Sequence, residues 1–130
     1  MTRIVEIPTS LDDRSFEQFV ESLRAGEPDG ARPLFDARGV QWASPYGLVG
    51  LLTAGQAWQE ARRERPLFTV PAHDDMARYW ARAGFFQHAA ELFEIHGKVP
   101  HVRIAEHSDV LLDVTPVRAS EDVHAVVGRI

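Results

Sequence analysis

The chain contains no cysteine, so disulfide bonds and zinc sites built from thiolates are excluded. No apolar run approaches the roughly 20 residues that a membrane-spanning helix requires. The first ten residues also lack the long apolar core of a secretory signal. These features together lead us to expect a cytoplasmic protein with no membrane span.

An excess of basic residues is also missing. The 14 lysines and arginines stand against 19 aspartates and glutamates, which gives a formal net charge of −5. Because binding to nucleic acid requires a basic face that neutralises phosphates, we expect no nucleic-acid partner. The chain has no phosphate-binding loop and no nucleophile elbow, and Gly47–Gly50 does not have the spacing of a dinucleotide fingerprint. The sequence therefore predicts neither an enzyme nor a cofactor.

Metal ligands and catalytic carboxylates are not predicted either. His96, His101 and His107 are close in sequence, but their spacing fits neither one face of a helix nor one face of a strand. Scattered surface histidines explain them better than a metal site. The acidic pairs Asp12–Asp13 and Asp74–Asp75 fall at predicted helix starts, where capping and the helix dipole account for them.

Strand-like and helix-like segments alternate along most of the chain. The predicted strands are Arg3–Ile7, Leu34–Asp36, the central strand Leu67–Val70 and two further strands at 102–104 and 110–114. The predicted helices lie near residues 13–23, 45–65 and 74–83, and residues 88–95 fit either a helical turn or a strand. This order favours parallel crossovers, and 130 residues suffice for one domain with a substantial core. We predict an α/β fold with a small mixed β-sheet, an edge strand at the N-terminus and helices packed mainly on one face.

The stretch from Pro33 to Gly55 is the segment around which we expect the rest of the chain to be arranged. A buried strand ends at Asp36, and Ser44–Pro45 begins a helix abruptly, since serine accepts from the free amides of the first turn and proline needs no amide there. Val40 and Trp42 alternate with Gln41 as in a short strand. Tyr46 then falls at the second helical position, exposed beside the positive helix end. A functional site is expected here.

The run Leu34–Leu52, LFDARGVQWASPYGLVGLL, resembles the central motif of STAS domains, the anti-sigma-factor-antagonist fold. Asp36, Gly39-Val40 and Gly47-Leu48 match the family pattern in place. The run LFTVPAHDDMARYWARAGFFQHA resembles the next part of that pattern. The resemblance covers roughly residues 31–95 and implies a STAS-like domain over residues 1–116.

The resemblance implies a non-catalytic regulatory module that docks on a partner kinase or ATPase through the start of the second helix. The partner-binding positions that it implies are Asp36, Ser44, Pro45, Tyr46, Gly47 and Leu48. The family's phosphoacceptor position holds Tyr46, which a serine kinase cannot use, and the oxygen of Ser44 is engaged as a cap. Docking is therefore expected to be constitutive or controlled elsewhere. The alternative is a domain that senses a small ligand or nucleotide at the same helix start.

The tail adds a second resemblance. The segment Leu111–Pro116, followed by SEDVHAVVGRI, resembles the entry into a histidine-kinase-type ATPase domain of the anti-sigma kind. Ser120 is a good cap, and the valines that follow keep helical spacing. We expect residues 117–130 to start a helix that leads into a further domain, so that the partner ATPase acts in cis or in trans.

Two neighbouring helices carry a locally basic set of side chains, Arg62, Arg63, Arg65, Arg78 and Arg82. One interpretation is a solvated face paired with the nearby glutamates. The other is a docking patch for an acidic partner. The sequence leaves both open.

Overall fold

The structure, a computed structural model, describes residues 2–26 and 30–101. Within those ranges strands and helices alternate, and they are numbered here in chain order. The strands are β1 (Thr2–Glu6), β2 (Ser10–Leu11), β3 (Arg32–Asp36), β4 (Trp42–Ala43), β5 (Leu67–Thr69) and β6 (Glu94–His96). The helices are α1 (Asp13–Ala25), α2 (Pro45–Arg62), α3 (Asp74–Arg82) and α4 (Phe85–Leu92). The strands predicted at 102–104 and 110–114, the domain end at 116 and the helix at 117–130 lie outside the described residues.

Four strands form one sheet in the order β1-β3-β5-β6, and each neighbouring pair is parallel. The predicted α/β class, the N-terminal edge strand and the central position of Leu67–Thr69 are confirmed. The prediction of a mixed sheet is wrong for the described residues. The physical reason is the crossover through α3 and α4. It returns the chain to the end of the sheet where β5 begins, so that β6 runs in the same direction as β5.

The helices pack on one face of this sheet. Each connection moves one strand further in the same direction, and right-handed crossovers then place every helix on the same side. Contacts of α2 with both α1 and α4 agree with a single helical layer. The opposite face carries the row Ile4, Leu34 and Leu67, of which Ile4 is 58% exposed.

A continuous chain of aromatic rings fills the space between helices and sheet. Phe35 of β3 lies 5.1 Å from Phe19 of α1 and 5.0 Å from Phe93, measured between ring centroids. Phe93 in turn lies 5.0 Å from Phe68 of β5. The Phe93 ring covers Gly55 of α2, where an added Cβ would overlap the Phe93 Cζ atom. Helix α2 can therefore approach the core only because residue 55 has no side chain.

The helix boundaries follow local chemistry. Asp12 caps α1 and forms a capping box with Ser15, as one of the two predicted caps. Helix α2 ends at Arg62, earlier than predicted, because Arg63 adopts a left-handed conformation with φ of 55°. The segment 88–95, for which the sequence favoured neither helix nor strand, contains the end of α4 and the start of β6. No helix within the described ranges is long and apolar enough to cross a bilayer.

Candidate functional site

The start of α2 lies at the carboxyl edge of the sheet. Beyond the ends of β1 and β3 the chain forms a small parallel ladder in which Ser10 pairs with Trp42 and Leu11 with Ala43. Backbone hydrogen bonds from Gln41 N to Thr9 O (2.7 Å) and from Ser44 N to Leu11 O (2.8 Å) fix it. Open α/β sheets commonly bind ligands outside the carboxyl ends of their strands, where loops from several strands meet.

Ser44 and Pro45 start the helix as the sequence predicted. Ser44 is the N-cap, and its Oγ accepts a hydrogen bond from Gly47 N at 3.0 Å. Pro45 occupies the first turn, where its missing N–H leaves no carbonyl without a partner. The cap occupies the serine oxygen and fixes the direction in which the first helical turn leaves the sheet edge.

Gly47 and Leu48 form the buried base of this region. A Cβ on Gly47 would lie 2.7 Å from Leu11 Cγ and 3.0 Å from Leu11 O, so the backbone of β2 packs directly on the helix. Leu48 is only 1% exposed. Gly47 therefore lets the helix start pack against β2, and neither predicted position presents a side chain to the surface.

Two aromatic side chains stand exposed above that base. Tyr46 is 45% exposed, as the sequence predicted, and Trp42 is 50% exposed. The Tyr46 ring meets Phe16 of α1 edge-to-face, with centroids 6.1 Å apart. We call the surface formed by Trp42, Pro45 and Tyr46 the aromatic edge. Tryptophan is on average highly buried in folded proteins, so its exposure beside a second exposed aromatic is unusual.

Asp36 has a different role from the aromatic edge. It is 7% exposed, and its carboxylate accepts hydrogen bonds from Arg38 Nε and Nη2, both at 2.9 Å, and from Thr69 Oγ1 at 2.9 Å. The Arg38 guanidinium holds the pKa of Asp36 down to about 2. Asp36 thus ties β3 to β5 and orients Arg38.

Trp42 is the residue that sequence reasoning did not place in the site. Alternation put Val40 and Trp42 on the same side of a strand. In the structure Val40 is fully buried in a turn that its N–H closes with Ala37 O at 3.1 Å, and β4 begins only at Trp42. The sequence feature that could have indicated its exposure is the position of Trp42 two residues before the cap, in a strand too short to bury both of its faces.

The locally basic residues of the sequence do not form one face. Arg65 Nη1 donates to the carbonyls of Ala90 and Phe93, and Arg62 stacks on the Trp58 ring 5.0 Å from its centroid. Arg78 and Arg82 border a separate depression, described below. Neither a single solvated face nor a single docking patch describes the whole set.

Among residues 2–26 and 30–101, no group of three or more histidines, aspartates or glutamates is placed to hold a metal ion. His107, which the sequence placed near His96 and His101, lies outside these ranges.

The chain matches no protein-family model, no curated protein and no solved structure. The resemblance to STAS domains therefore remains a prediction from the sequence motif.

Proposed function

We propose that this domain is a non-catalytic interaction module of the anti-sigma-factor-antagonist type, with a STAS-like fold, that docks on a histidine-kinase-type ATPase. The observation that carries the proposal is the exposure of Trp42 and Tyr46 on either side of the capped start of α2. The motif resemblance puts the partner contact at that same helix start.

The physical argument rests on preorganisation. Tryptophan and tyrosine are the residues that most often carry binding energy in protein interfaces. Here the cap on Ser44 and the packing of Gly47 on Leu11 fix the backbone beneath them. A partner that covers the aromatic edge gains apolar contact and orders few additional groups, because the base is already rigid. This chemistry favours a protein surface over a small polar ligand.

The predicted site residues then divide by role. Tyr46 and Pro45 contact the partner together with Trp42, while Gly47 and Leu48 set the position of the helix start. Asp36 supports the neighbouring loop. Because Tyr46 replaces the phosphoacceptor and Ser44 Oγ accepts from Gly47 N, serine phosphorylation does not switch this surface. Docking is constitutive or is controlled elsewhere, with the ATPase in cis or in trans in the cytoplasm.

The test is capture of the ATPase from extract of the producing cells, with this domain as bait. Three baits are compared: the wild type, Tyr46→Asp and Val99→Asp. Val99 is a matched control, because it is 40% exposed and apolar but lies in the loop after β6. We expect wild type and Val99→Asp to hold a histidine-kinase-type ATPase and Tyr46→Asp to lose it. Equal capture of the ATPase by all three baits would move the contact away from the aromatic edge, and its absence from all three would contradict docking in trans.

A further inference from the structure

A depression of about 810 Å³ lies at the carboxyl ends of β5 and β6, further along the same sheet edge. Its walls are the loop after β5, the exposed side of α3 and the loop after β6. Ala72 N donates to Arg38 O at 3.2 Å, which joins the loop after β5 to the loop after β3. The volume is in the range of small-molecule sites in proteins.

The lining is strongly cationic on a chain whose net charge is −5. Arg38, Arg78, Arg82 and Lys98 line the depression, and Asp74 is the carboxylate that lines it with them. Arg78 and Arg82 are four residues apart on α3, so they lie on the same side of the helix. The positive charges therefore converge from three separate segments of the chain.

Two of these four cationic side chains form ion pairs with carboxylates, and two do not within the described residues. Arg38 is fixed by Asp36, and Arg78 Nε lies 3.0 Å from Asp74 Oδ2. Arg82 and Lys98 have no ion-pair partner within the part of the chain that the structure describes. Two oriented guanidinium groups beside two uncompensated charges are suited to an anion that has several oxygen atoms, because arginine presents its N–H donors as a planar fork.

Apart from His101, the remaining side chains of the lining are apolar. Val70, Pro71, Ala77 and Pro100 border the same depression. Gly97 turns the chain with φ of +111°, and its backbone approaches Val70 so closely that an added Cβ would lie 3.3 Å from Val70 Cβ. This turn brings Lys98 to the rim. A ligand that is anionic at one end and less polar at the other matches these walls.

We propose that this depression is a binding site for a small organic phosphate. The phosphoryl oxygens are bound by Arg78, Arg82 and Lys98, and the organic part lies against Val70 and Pro100. The site is separate from the aromatic edge, and the argument for it does not depend on the proposed docking function.

The test is calorimetric titration of the full 130-residue chain with inorganic pyrophosphate and then with ADP, both without magnesium. The double variant Arg82→Gln, Lys98→Gln changes two exposed side chains, so it is expected to fold. Arg14→Gln, in the exposed first turn of α1, is the matched control for loss of positive charge. We expect both probes to bind wild type and Arg14→Gln, and the double variant to bind at least about tenfold more weakly, the loss typical of removing charge-assisted contacts.

A second readout locates the binding. The backbone amide resonances of Ala72 and Gly97 are expected to shift on titration in the wild type. No binding of either probe at millimolar concentration would overturn the proposal, as would equal affinity in the double variant. Citrate bound as tightly as pyrophosphate would overturn the assignment to phosphate.

Discussion

The aromatic edge and the cationic depression lie along the same carboxyl edge of one parallel sheet, yet the first exposes aromatic rings and the second is lined by positive charges. The first follows β1 and β3 and exposes Trp42 and Tyr46, while the second follows β5 and β6 and carries Arg82 and Lys98. A parallel sheet brings all its outgoing loops to one edge, and each loop can differ without altering the strands. This arrangement gives one small domain two independent surfaces.

Asp36 lies between the two regions. Its carboxylate binds Arg38, which lines the cationic depression, and its strand leads into the loop that precedes β4 and Trp42. The bond from Thr69 Oγ1 to Asp36 joins the strands beneath both regions. Changes in this shared frame are therefore expected to affect both surfaces, whereas changes at one surface are expected to affect that surface alone.

The largest expected effect comes from Phe93→Ala, which removes the shared core. Phe93 packs between Phe35, Phe68 and Gly55, in the core between the helices and the sheet that carries both regions. Truncation of a buried phenylalanine lowers the free energy of unfolding by about 3–5 kcal/mol. Chemical denaturation measures this loss, and Val99→Ala, at an exposed position, is expected to change little. A loss below about 1 kcal/mol would contradict the tight packing of Phe93 in this core.

The next effect belongs to Asp36→Asn, which breaks the link between the regions. Because the folded-state pKa of Asp36 is about 2 against an ordinary value of 3.8, the charged carboxylate stabilises the folded state above about pH 4. That stability is lost as the pH falls from about 4 to about 2. At neutral pH the free energy of unfolding of the variant is expected to be lower by up to about 2 kcal/mol. The loss is limited because Arg38 is exposed, so that solvent screens its attraction to Asp36.

The control for this prediction is the pH itself. The difference in unfolding free energy between wild type and Asp36→Asn should be constant from pH 5 to pH 7 and should disappear near pH 2. A difference that persists unchanged at pH 2 would show that the asparagine acts through packing and not through the lost charge.

A smaller effect is expected at the aromatic edge alone. Ser44→Ala removes the cap bond to Gly47 N and should cost about 1 kcal/mol of stability, as caps typically do. Ser22→Ala, at an exposed position of α1, is the matched control and should be nearly neutral. Pyrophosphate binding should be unchanged in Ser44→Ala, and a parallel loss of that binding would contradict the independence of the two regions.

The sequence predicts much of the frame, because the frame follows from periodicity and capping. The helix predicted near residues 13–23, the caps at Asp12 and Ser44, and the exposure of Tyr46 are all confirmed. These features depend on neighbours within about one helical turn, so one stretch of sequence contains what is needed to infer them.

Features that depend on distant residues were not predicted. The parallel direction of β6 depends on how α3 and α4 cross the sheet, and the exposure of Trp42 depends on its pairing with Ser10. The depression also brings together side chains from two loops and one helix, namely Arg38, Lys98 and Arg82. Their separation along the chain gives no pattern from which the depression could be inferred.

The most direct test of the account is the affinity of the captured ATPase for three purified proteins: the wild type, Trp42→Ala and Arg82→Gln. The aromatic edge as docking surface predicts that Trp42→Ala raises the Kd by at least about tenfold at unchanged melting temperature, as loss of a hot-spot tryptophan does. It predicts that Arg82→Gln leaves the Kd unchanged. An unchanged Kd for Trp42→Ala, or a loss for Arg82→Gln that matches or exceeds it, would contradict the account.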